Sequence, residues 1–394
     1  MSVTRRVRVA MLFAASQLAV WTGCNAILGN GYGAFDESAV GPGGPGGEGG
    51  PGDDALGGGE GGGPGSDGGP GTDADAGNDG NAPDGNNGDG GTCPRAICPT
   101  KLAPAVGPQR IALGTVAAID YVYWGTATGA GRVRVDGTAA NEVPFAAAEV
   151  IAAPYKRSVV VANGNPIVTV PARGAAVCTP DLTSCQTGFV GSAGTSSSVT
   201  ADATHLYVGI GNSGAGFGTI YQTMDLGGTS PAAYMMTDPV FDLQVVGANT
   251  FYLTSGAIKR NTPTASGPTL VLTPSAAPLA FAVSGTGLIV GTASEIITCV
   301  LNVSNVCTGS SIVAIMLSGV TAVRFDGQSI LWAEGGNGGS VHRCDFPSCT
   351  NAELLAEDQP GISDLAVDEN FIYWANSGDS SGAGGAIMKI PRQP

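Results

Sequence analysis

The sequence predicts an all-β fold, a seven-bladed β-propeller of four-stranded blades, preceded by a signal peptide and a disordered Gly/Asp-rich linker. Three observations lead to this prediction. A short aromatic or β-branched strand recurs seven times beyond residue 92, no sustained helical period accompanies it, and the N-terminal part is leader-like and then Gly-rich. These features divide the chain into residues 1–23, the leader, residues 24–92, the linker, and residues 93–394, the propeller domain.

The leader begins with three arginines among its first eight residues, followed by the mostly apolar stretch 9–21. A helix of that length rises about 20 Å, too short for a bilayer core of about 30 Å, as is typical of a secretory signal peptide. The next residues, Thr22-Gly23-Cys24, resemble the lipobox of bacterial lipoproteins, whose cysteine is diacylated and becomes the N-terminus. We therefore expect a lipid anchor at Cys24. The alternative is an ordinary secretory signal with a chance cysteine.

The linker has a composition that cannot form a core. Between Gly41 and Gly91 there are 24 Gly, 6 Pro and 10 acidic residues among 51, with no Lys or Arg. Such a stretch cannot bury enough apolar surface to offset its ordering entropy, so we expect a disordered spacer. A calcium loop is the alternative, but Gly77 stands where a ligand is needed. The acidic residues that suggest it are Asp73, Asp75, Asp79, Asp84 and Asp89.

The repeats beyond the linker share one order of strands. An alternating strand comes first, the aromatic strand second, and two further strands follow after Gly-rich connections. One residue of each aromatic strand serves as an anchor, and successive anchors lie 37 to 47 residues apart, about the length of a four-stranded blade. The anchors are Trp124, Val161, Val208, Leu253, Val290, Trp332 and Trp374.

Three repeats carry a family resemblance. Tyr123-Trp124 is followed by Arg132 to Gly137, Leu331-Trp332 by Val341-His342-Arg343, and Tyr373-Trp374 by Ile387-Met388-Lys389. In these motifs residues 93–394 resemble YWTD-type and related β-propellers, including those of tethered bacterial surface lipoproteins. The resemblance implies a propeller displayed outside the cytoplasm.

Ring closure requires a strand from the N-terminal side. The chain ends just after the third strand of the seventh repeat, so that blade lacks its fourth strand. The best candidate to supply it is Lys101–Val106, and Arg110–Leu113 is the rival. Either segment would remove the exposed sheet edges that promote aggregation.

The cysteines other than Cys24 fall into four close pairs. We predict a hairpin disulfide for each pair, because a zinc site would need pairs brought together from different blades. Disulfides imply an oxidising compartment. The pairs are Cys93/Cys98, Cys178/Cys185, Cys299/Cys307 and Cys344/Cys349.

Sequence motifs for catalysis are absent: there is no Gly-x-Ser-x-Gly elbow, phosphate loop or paired-His motif. No catalytic, cofactor-binding or metal-binding residue is therefore assigned, and His205 and His342 are expected to be surface residues. Four aspartates precede aromatic strands and are expected to cap turns. The alternative is a carboxylate ring that holds a cation near the channel mouth, as in propeller lactonases. These aspartates are Asp120, Asp202, Asp326 and Asp368.

The expected recognition surface is the set of Gly-rich loops that follow the second strands. The longest are Gly125–Gly131, Gly209–Gly218, Gly335–Gly339 and Ser377–Gly385, and they should cluster on one face.

Function is interpreted as non-enzymatic binding of a protein or glycan by a monomeric, lipid-anchored extracytoplasmic propeller, with no cofactor. A net charge of −15 argues against a nucleic-acid partner. The alternatives are a cation-dependent propeller hydrolase or lyase with Asp or Asn ligands, and a structural cell-envelope protein.

Overall fold

The structure, a computed structural model, covers most of the predicted propeller. The leader, Cys24, the linker with its acidic residues, and Cys93 lie outside the described residues. The structure describes residues 98–145, 156–170, 174–187, 195–211, 218–223, 232–236, 238–262, 267–315, 317–326, 328–336, 338–378, 382 and 384–392.

Within these residues the strands form seven antiparallel four-stranded sheets, each one blade of a β-propeller. Each blade is ordered from its innermost to its outermost strand. Blades 1 to 4 comprise β2(Pro108–Val116), β3(Ile119–Thr126), β4(Gly129–Arg134) and β5(Asn141–Pro144); β6(Val159–Ala162), β7(Asn165–Val170), β8(Gly174–Cys178) and β9(Cys185–Thr187); β10(Thr195–Ala201), β11(Leu206–Gly211), β12(Gly218–Thr223) and β13(Ala232–Met236); β14(Asp242–Val246), β15(Asn249–Leu253), β16(Ile258–Asn261) and β17(Thr269–Leu272).

The remaining blades follow the same order, except that blade 7 takes its outermost strand from the start of the domain. Blades 5 to 7 comprise β18(Pro278–Ser284), β19(Gly287–Thr292), β20(Glu295–Leu301) and β21(Cys307–Ile315); β22(Val320–Phe325), β23(Ser329–Glu334), β24(Gly339–Asp345) and β25(Glu353–Gln359); β26(Ile362–Val367), β27(Phe371–Asn376), β28(Ala386–Pro391) and β1(Thr100–Pro104).

The ring is closed by β1, which pairs antiparallel with β28. This confirms the prediction that Lys101–Val106 closes the ring, whereas the rival Arg110–Leu113 lies in β2, the innermost strand of blade 1. Leu102, Ala103 and Ala105 are buried against blades 7 and 1. Because these side chains complete an apolar cluster, closure is a packing event as well as a hydrogen-bonding one.

The hydrophobic core is divided among the blade interfaces. Each of the seven apolar clusters found in the described residues joins two neighbouring blades, and one of them joins blade 7 to blade 1. The three propeller tryptophans, Trp124, Trp332 and Trp374, are all at most 1% exposed on second strands. The aromatic strand therefore recurs because its side chains fill the space between blades.

Two of the anchors predicted from sequence are wrong. Val161 lies in β6, an innermost strand, and the second strand of blade 2 is β7, in which Val168 pairs with Val159. In blade 4 the anchor is Tyr252, which pairs with Leu243, rather than Leu253. With these corrections successive anchors are 38 to 44 residues apart, a more regular repeat than the predicted spacing of 37 to 47 residues.

Three of the predicted disulfides are confirmed at the outer edge of the ring. Cys178–Cys185 joins β8 to β9, Cys299–Cys307 joins β20 to β21, and Cys344–Cys349 ties the end of β24 to the loop before β25. Cys98 is also disulfide-bonded. No helix among the described residues is long and apolar enough to cross a membrane.

Candidate functional site

The innermost strands begin with a repeated irregularity. In blades 1, 3, 5, 6 and 7 a register shift leaves one extra residue near the start of the innermost strand. A β-bulge of this kind re-aims the side chains beside it. The extra residues are Gln109, Ser197, Leu279, Thr321 and Ser363.

The bulge residues also join neighbouring blades. Ser363 Oγ donates to the carbonyl oxygen of Pro108 at 2.5 Å, linking blade 7 to blade 1. Ser197 Oγ donates in the same way to the carbonyl oxygen of Val240, linking blade 3 to blade 4. These equivalent bonds place Arg110 and Asp242, two residues after Pro108 and Val240, at the same position of their blades.

In blades 1 and 7 the residue that follows the bulge is charged, Arg110 and Asp364 respectively. Asp364, only 1% exposed, accepts hydrogen bonds from the Ile111 amide at 2.9 Å and from Arg324 Nη2 at 2.7 Å. Arg110 Nη1 lies 3.7 Å from the same carboxylate, and Arg110 Nη2 donates to Asp242 Oδ2 at 2.9 Å. Arg110 belongs to blade 1 and Asp242 to blade 4, nearly opposite in a ring of seven. Their ion pair therefore crosses the ring centre.

A third cation reaches the same place from the start of blade 2. Lys156 Nζ donates to the carbonyl oxygen of Ser363 at 3.2 Å. Burial and, to a lesser extent, the nearby Arg110 together lower the pKa of the Lys156 ammonium to about 8, against the opposing effect of Asp364 and Asp242. We call Arg110, Lys156, Asp242, Arg324 and Asp364 the central charge cluster.

The arginines of the central charge cluster are held by carboxylates. For Arg110, burial disfavours the charged form, but Asp242 and Asp364 outweigh it and raise the pKa of the guanidinium. Ser198 Oγ, at the equivalent position of blade 3, donates to Asp242 Oδ1 at 3.0 Å and fixes that carboxylate. Both carboxylates are thus occupied by arginines and by polar groups of adjacent blades.

Lys156 is positioned by its buried neighbour Arg157. The Arg157 guanidinium donates to the carbonyl oxygens of Thr126, Thr169 and Ala127 at 2.7, 2.9 and 3.2 Å, and it stacks over the Phe145 ring at 4.7 Å. These contacts tie the segment before β6 to blade 1. They fix the backbone from which Lys156 extends.

The four aspartates singled out in the sequence lie at the opposite, hairpin ends of the innermost strands. Asp202, Asp326 and Asp368 each accept two backbone amide hydrogen bonds from the residues of the following turn, which confirms the turn-capping prediction. Burial raises the pKa of Asp202, but the Thr204 and His205 amides outweigh it and lower the pKa to about 2. Asp120 follows its turn instead and accepts a bond from Thr115 Oγ1 at 2.6 Å. The carboxylate-ring hypothesis for these residues is therefore wrong.

The two histidines are partly exposed and make local contacts. His205 Nδ1 lies 2.7 Å from Thr204 Oγ1, and the His342 ring stacks on Trp332 with ring centroids 5.0 Å apart. His342 Nε2 is 3.1 Å from Glu334 Oε1. In the part of the chain that the structure describes, no group of three or more His, Cys, Asp or Glu side chains could hold a metal ion.

The loops after the second strands lie at the same end of the ring as the central charge cluster, because Arg110, Asp242 and Asp364 pair with residues at the ends of second strands. One predicted loop is wrong: in Gly125–Gly131 only Ala127 and Thr128 lie between β3 and β4, and the glycines are strand residues. Gly131 is required there, since an added Cβ would lie 2.2 Å from the Trp124 ring. Parts of Gly209–Gly218, Gly335–Gly339 and Ser377–Gly385 lie outside the described residues.

The central charge cluster is not among the sites predicted from the sequence. Its carboxylates stand in the same local context, Asp242-Leu243 and Asp364-Leu365, at the start of an alternating strand. Aligning the repeats on their innermost strands, rather than on the aromatic strands, would have brought these two pairs together.

Comparisons with solved structures show the same fold at very low sequence identity. The RRP9 WD40 repeats share 8% identity over 76% of this chain and 99% of that chain, with a TM-score of 0.60. U3-55K shares 9% identity over 74% of this chain and 98% of that chain, with a TM-score of 0.58. BamB from Moraxella catarrhalis shares 12% identity over 72% of this chain and 85% of that chain, with a TM-score of 0.47. No family model matches the chain, and no curated protein matches it. The similarity therefore establishes a β-propeller and no particular activity.

Proposed function

We propose that this protein is a lipid-anchored, extracytoplasmic binding module, in which a non-enzymatic β-propeller of the YWTD-like type is held away from a bacterial membrane by a disordered tether. The observation that carries the binding role is the central charge cluster. A rigid closed ring presents it at the end where the second-strand loops lie, the usual place for recognition on such a scaffold.

The extracytoplasmic location is supported by the disulfides. Three cysteine pairs in the described residues are bonded within outer hairpins, and such bonds persist in oxidising compartments. The Thr22-Gly23-Cys24 ending and the leader before it agree with that location. The closing strand β1 starts at Thr100, only a few residues beyond the predicted linker, so the tether leads directly into the strand that completes the ring.

Binding is favoured over the cation-dependent hydrolase because of how the carboxylates are used. Asp242 and Asp364, the acids at the ring centre, both face arginines, and the cluster contains more cations than carboxylates. A divalent cation would find neither carboxylate group free of an arginine partner, and Arg110 would repel it. The geometry therefore suits an anionic group of a ligand.

Anchoring is tested by expressing the full chain and its Cys24→Ala variant in a bacterial host with a lipoprotein pathway. The proposal expects the unaltered chain in the membrane fraction with an acylated Cys24 by mass spectrometry, and the variant in the soluble periplasmic fraction. Ser38→Ala, a change within the linker, is the matched control and should remain membrane-bound. An unmodified Cys24 in a soluble chain would refute the anchor.

The binding role is tested by retention of envelope protein or glycan on the immobilised full chain, compared with its Lys156→Met variant. We expect a ligand that is retained by the first and lost from the second. No specific retention, together with turnover on a substrate panel, would refute it in favour of an enzyme. No retention and no turnover would leave a structural envelope protein as the better description.

A further inference from the structure

We propose that the ring centre is a binding site for one carboxylate group of a ligand, held by Lys156 with Arg110 and Arg324 beside it. This inference rests on the proposed function and names the chemistry that the binding module recognises. It concerns a site formed by blades 1, 2, 4, 6 and 7, so it exists only in the closed ring.

The central charge cluster has more cations than carboxylates. Asp364 pairs with Arg324 at 2.7 Å and lies 3.7 Å from Arg110, and Asp242 pairs with Arg110 at 2.9 Å. Two carboxylates thus serve two arginines. Among the described residues Lys156 forms no ion pair within 4 Å, and its one hydrogen bond goes to the neutral carbonyl oxygen of Ser363. The cluster therefore has three cations against two carboxylates when Lys156 is protonated.

The extra positive charge is unfavourable in a partly buried cluster. Removing a cation from water is unfavourable unless counter-ions compensate it. Asp364 and Asp242 compensate Lys156 only in part, and burial together with Arg110 lowers its pKa to about 8. A ligand with a single negative charge would neutralise the cluster. A carboxylate carries one charge at neutral pH, whereas a phosphate monoester carries nearly two, so the balance favours the carboxylate.

Lys156 has N–H donors to offer a ligand, and solvent reaches the cluster. An ammonium group has three N–H donors, and Ser363 takes one of those of Lys156, so two can serve a carboxylate. Arg110 and Arg324 keep 12% and 24% of their side-chain surface exposed. Asp242 keeps 13% and Asp364 only 1%, so the cluster is partly accessible from solvent.

A purely structural role for Lys156 is the competing explanation, and Arg157 shows what such a role looks like. The Arg157 guanidinium is completely buried and donates to three backbone carbonyl oxygens that join blades 1 and 2. Lys156, the next residue along the chain, makes one such bond and retains solvent exposure. The two neighbouring cations therefore differ in the way expected of a ligand contact and a structural brace.

The test is amine acylation of the full chain followed by mass spectrometry of the peptide containing Lys156, with sodium acetate as the carboxylate probe. Sodium chloride and sodium phosphate at equal ionic strength are the comparison salts. Acetate should raise the pKa of Lys156 and slow its acylation at pH 7, by about tenfold for each unit of pKa, and phosphate should protect less. Lys101, exposed on β1, is the internal control and should react equally in all three salts.

Equal acylation of Lys156 in acetate and chloride would overturn the proposal. Protection by phosphate as strong as that by acetate would also overturn it, since the site would then accept any anion. Neither outcome would refute the proposal that the protein is a binding module. An envelope ligand retained equally by the full chain and by its Lys156→Met variant would show that recognition occurs elsewhere on the ring.

Charge variants separate binding from folding. At pH 6, where the Lys156 ammonium is protonated, Asp242→Asn removes a competing carboxylate and should increase acetate protection several-fold. Arg324→Gln removes a cation and should decrease it. A structural network would respond differently, because either change would loosen the cluster and reduce protection. Reduced protection in both variants would therefore overturn the proposal.

Discussion

The centre and the rim of this ring are held together by different means. At the centre, contacts join residues far apart in the chain: Arg110 pairs with Asp242, and the Ile111 amide donates to Asp364. At the rim, three disulfides join cysteines only 5 to 8 residues apart. The centre therefore sets how blades are arranged around the ring, whereas each rim disulfide restrains one outer hairpin. The centre also carries the charge available to a ligand, and the rim disulfides do not.

The largest expected effect is at the centre. Asp364→Asn leaves Arg324 and Arg110 without the carboxylate they share, and breaking a buried pair in this way costs about 3–5 kcal/mol. The free energy of unfolding from denaturant titration should fall by that amount. Glu369→Gln, an exposed change on the same blade, is the control and should have almost no effect. A loss below about 1 kcal/mol for Asp364→Asn would mean that the central ion pairs do not hold the ring.

The closing strand comes next, because it joins the rim through pairs of residues far apart in sequence. Ala103 is 2% exposed and pairs with Ile387. Ala103→Asp would bury a charge there and should cost about 3 kcal/mol or prevent folding, seen as a lower melting temperature. Lys101→Asp, an exposed change on the same strand, should be tolerated. Equal melting temperatures for the two variants would contradict closure by β1.

A rim disulfide should matter less. Replacing both Cys344 and Cys349 by serine opens a loop of only a few residues, and the chain-entropy model gives a loss of about 2 kcal/mol. The corresponding Cys178 and Cys185 double serine variant opens a similar loop and should lose a similar amount of stability. A loss as large as that of Asp364→Asn in denaturant titration would mean that the rim, rather than the centre, holds the ring.

The smallest expected effect is a gain in stability. Lys156 titrates at about 8 in the folded chain and at its ordinary 10.5 when unfolded, so the unfolded chain binds more protons between these pH values. Stability should therefore rise as pH increases from about 8 to 10.5. Lys156→Met should be more stable than the unaltered chain at pH 7 by about 1–2 kcal/mol, allowing for partial exposure. This advantage should shrink across the same pH range. A less stable variant at pH 7 would make Lys156 a structural brace.

Much of the fold could be predicted from sequence because its strands and turns depend on patterns of neighbouring residues. Tyr373-Trp374 marks a second strand, and Asp368 caps the turn before it through amides two and three residues away. The same local patterns misled in blade 2, where Val159–Ala162 has the β-branched composition of a second strand but forms the first. Composition does not distinguish these two strands, because β6 and β7 are both rich in β-branched residues.

The central charge cluster could not be predicted in the same way. Its ion pairs form only when β2, β14, β22 and β26 come together around the ring. No spacing of residues within one repeat indicates which strands come together. Lys156 is still harder to find, because it lies outside the repeated strands, and only its contact with Ser363 places it at the centre.

The most direct test of the division between centre and rim is the melting temperature in sodium acetate relative to sodium chloride at equal ionic strength. A ligand that binds the folded chain and not the unfolded chain raises the melting temperature, and the rise grows with the ratio of ligand concentration to Kd. The Cys344 and Cys349 double serine variant should melt at a lower temperature and keep the full acetate-dependent rise, whereas Lys156→Met should lose that rise. Loss of the rise in both variants, or its retention in both, would contradict a ring centre that binds and a rim that only supports.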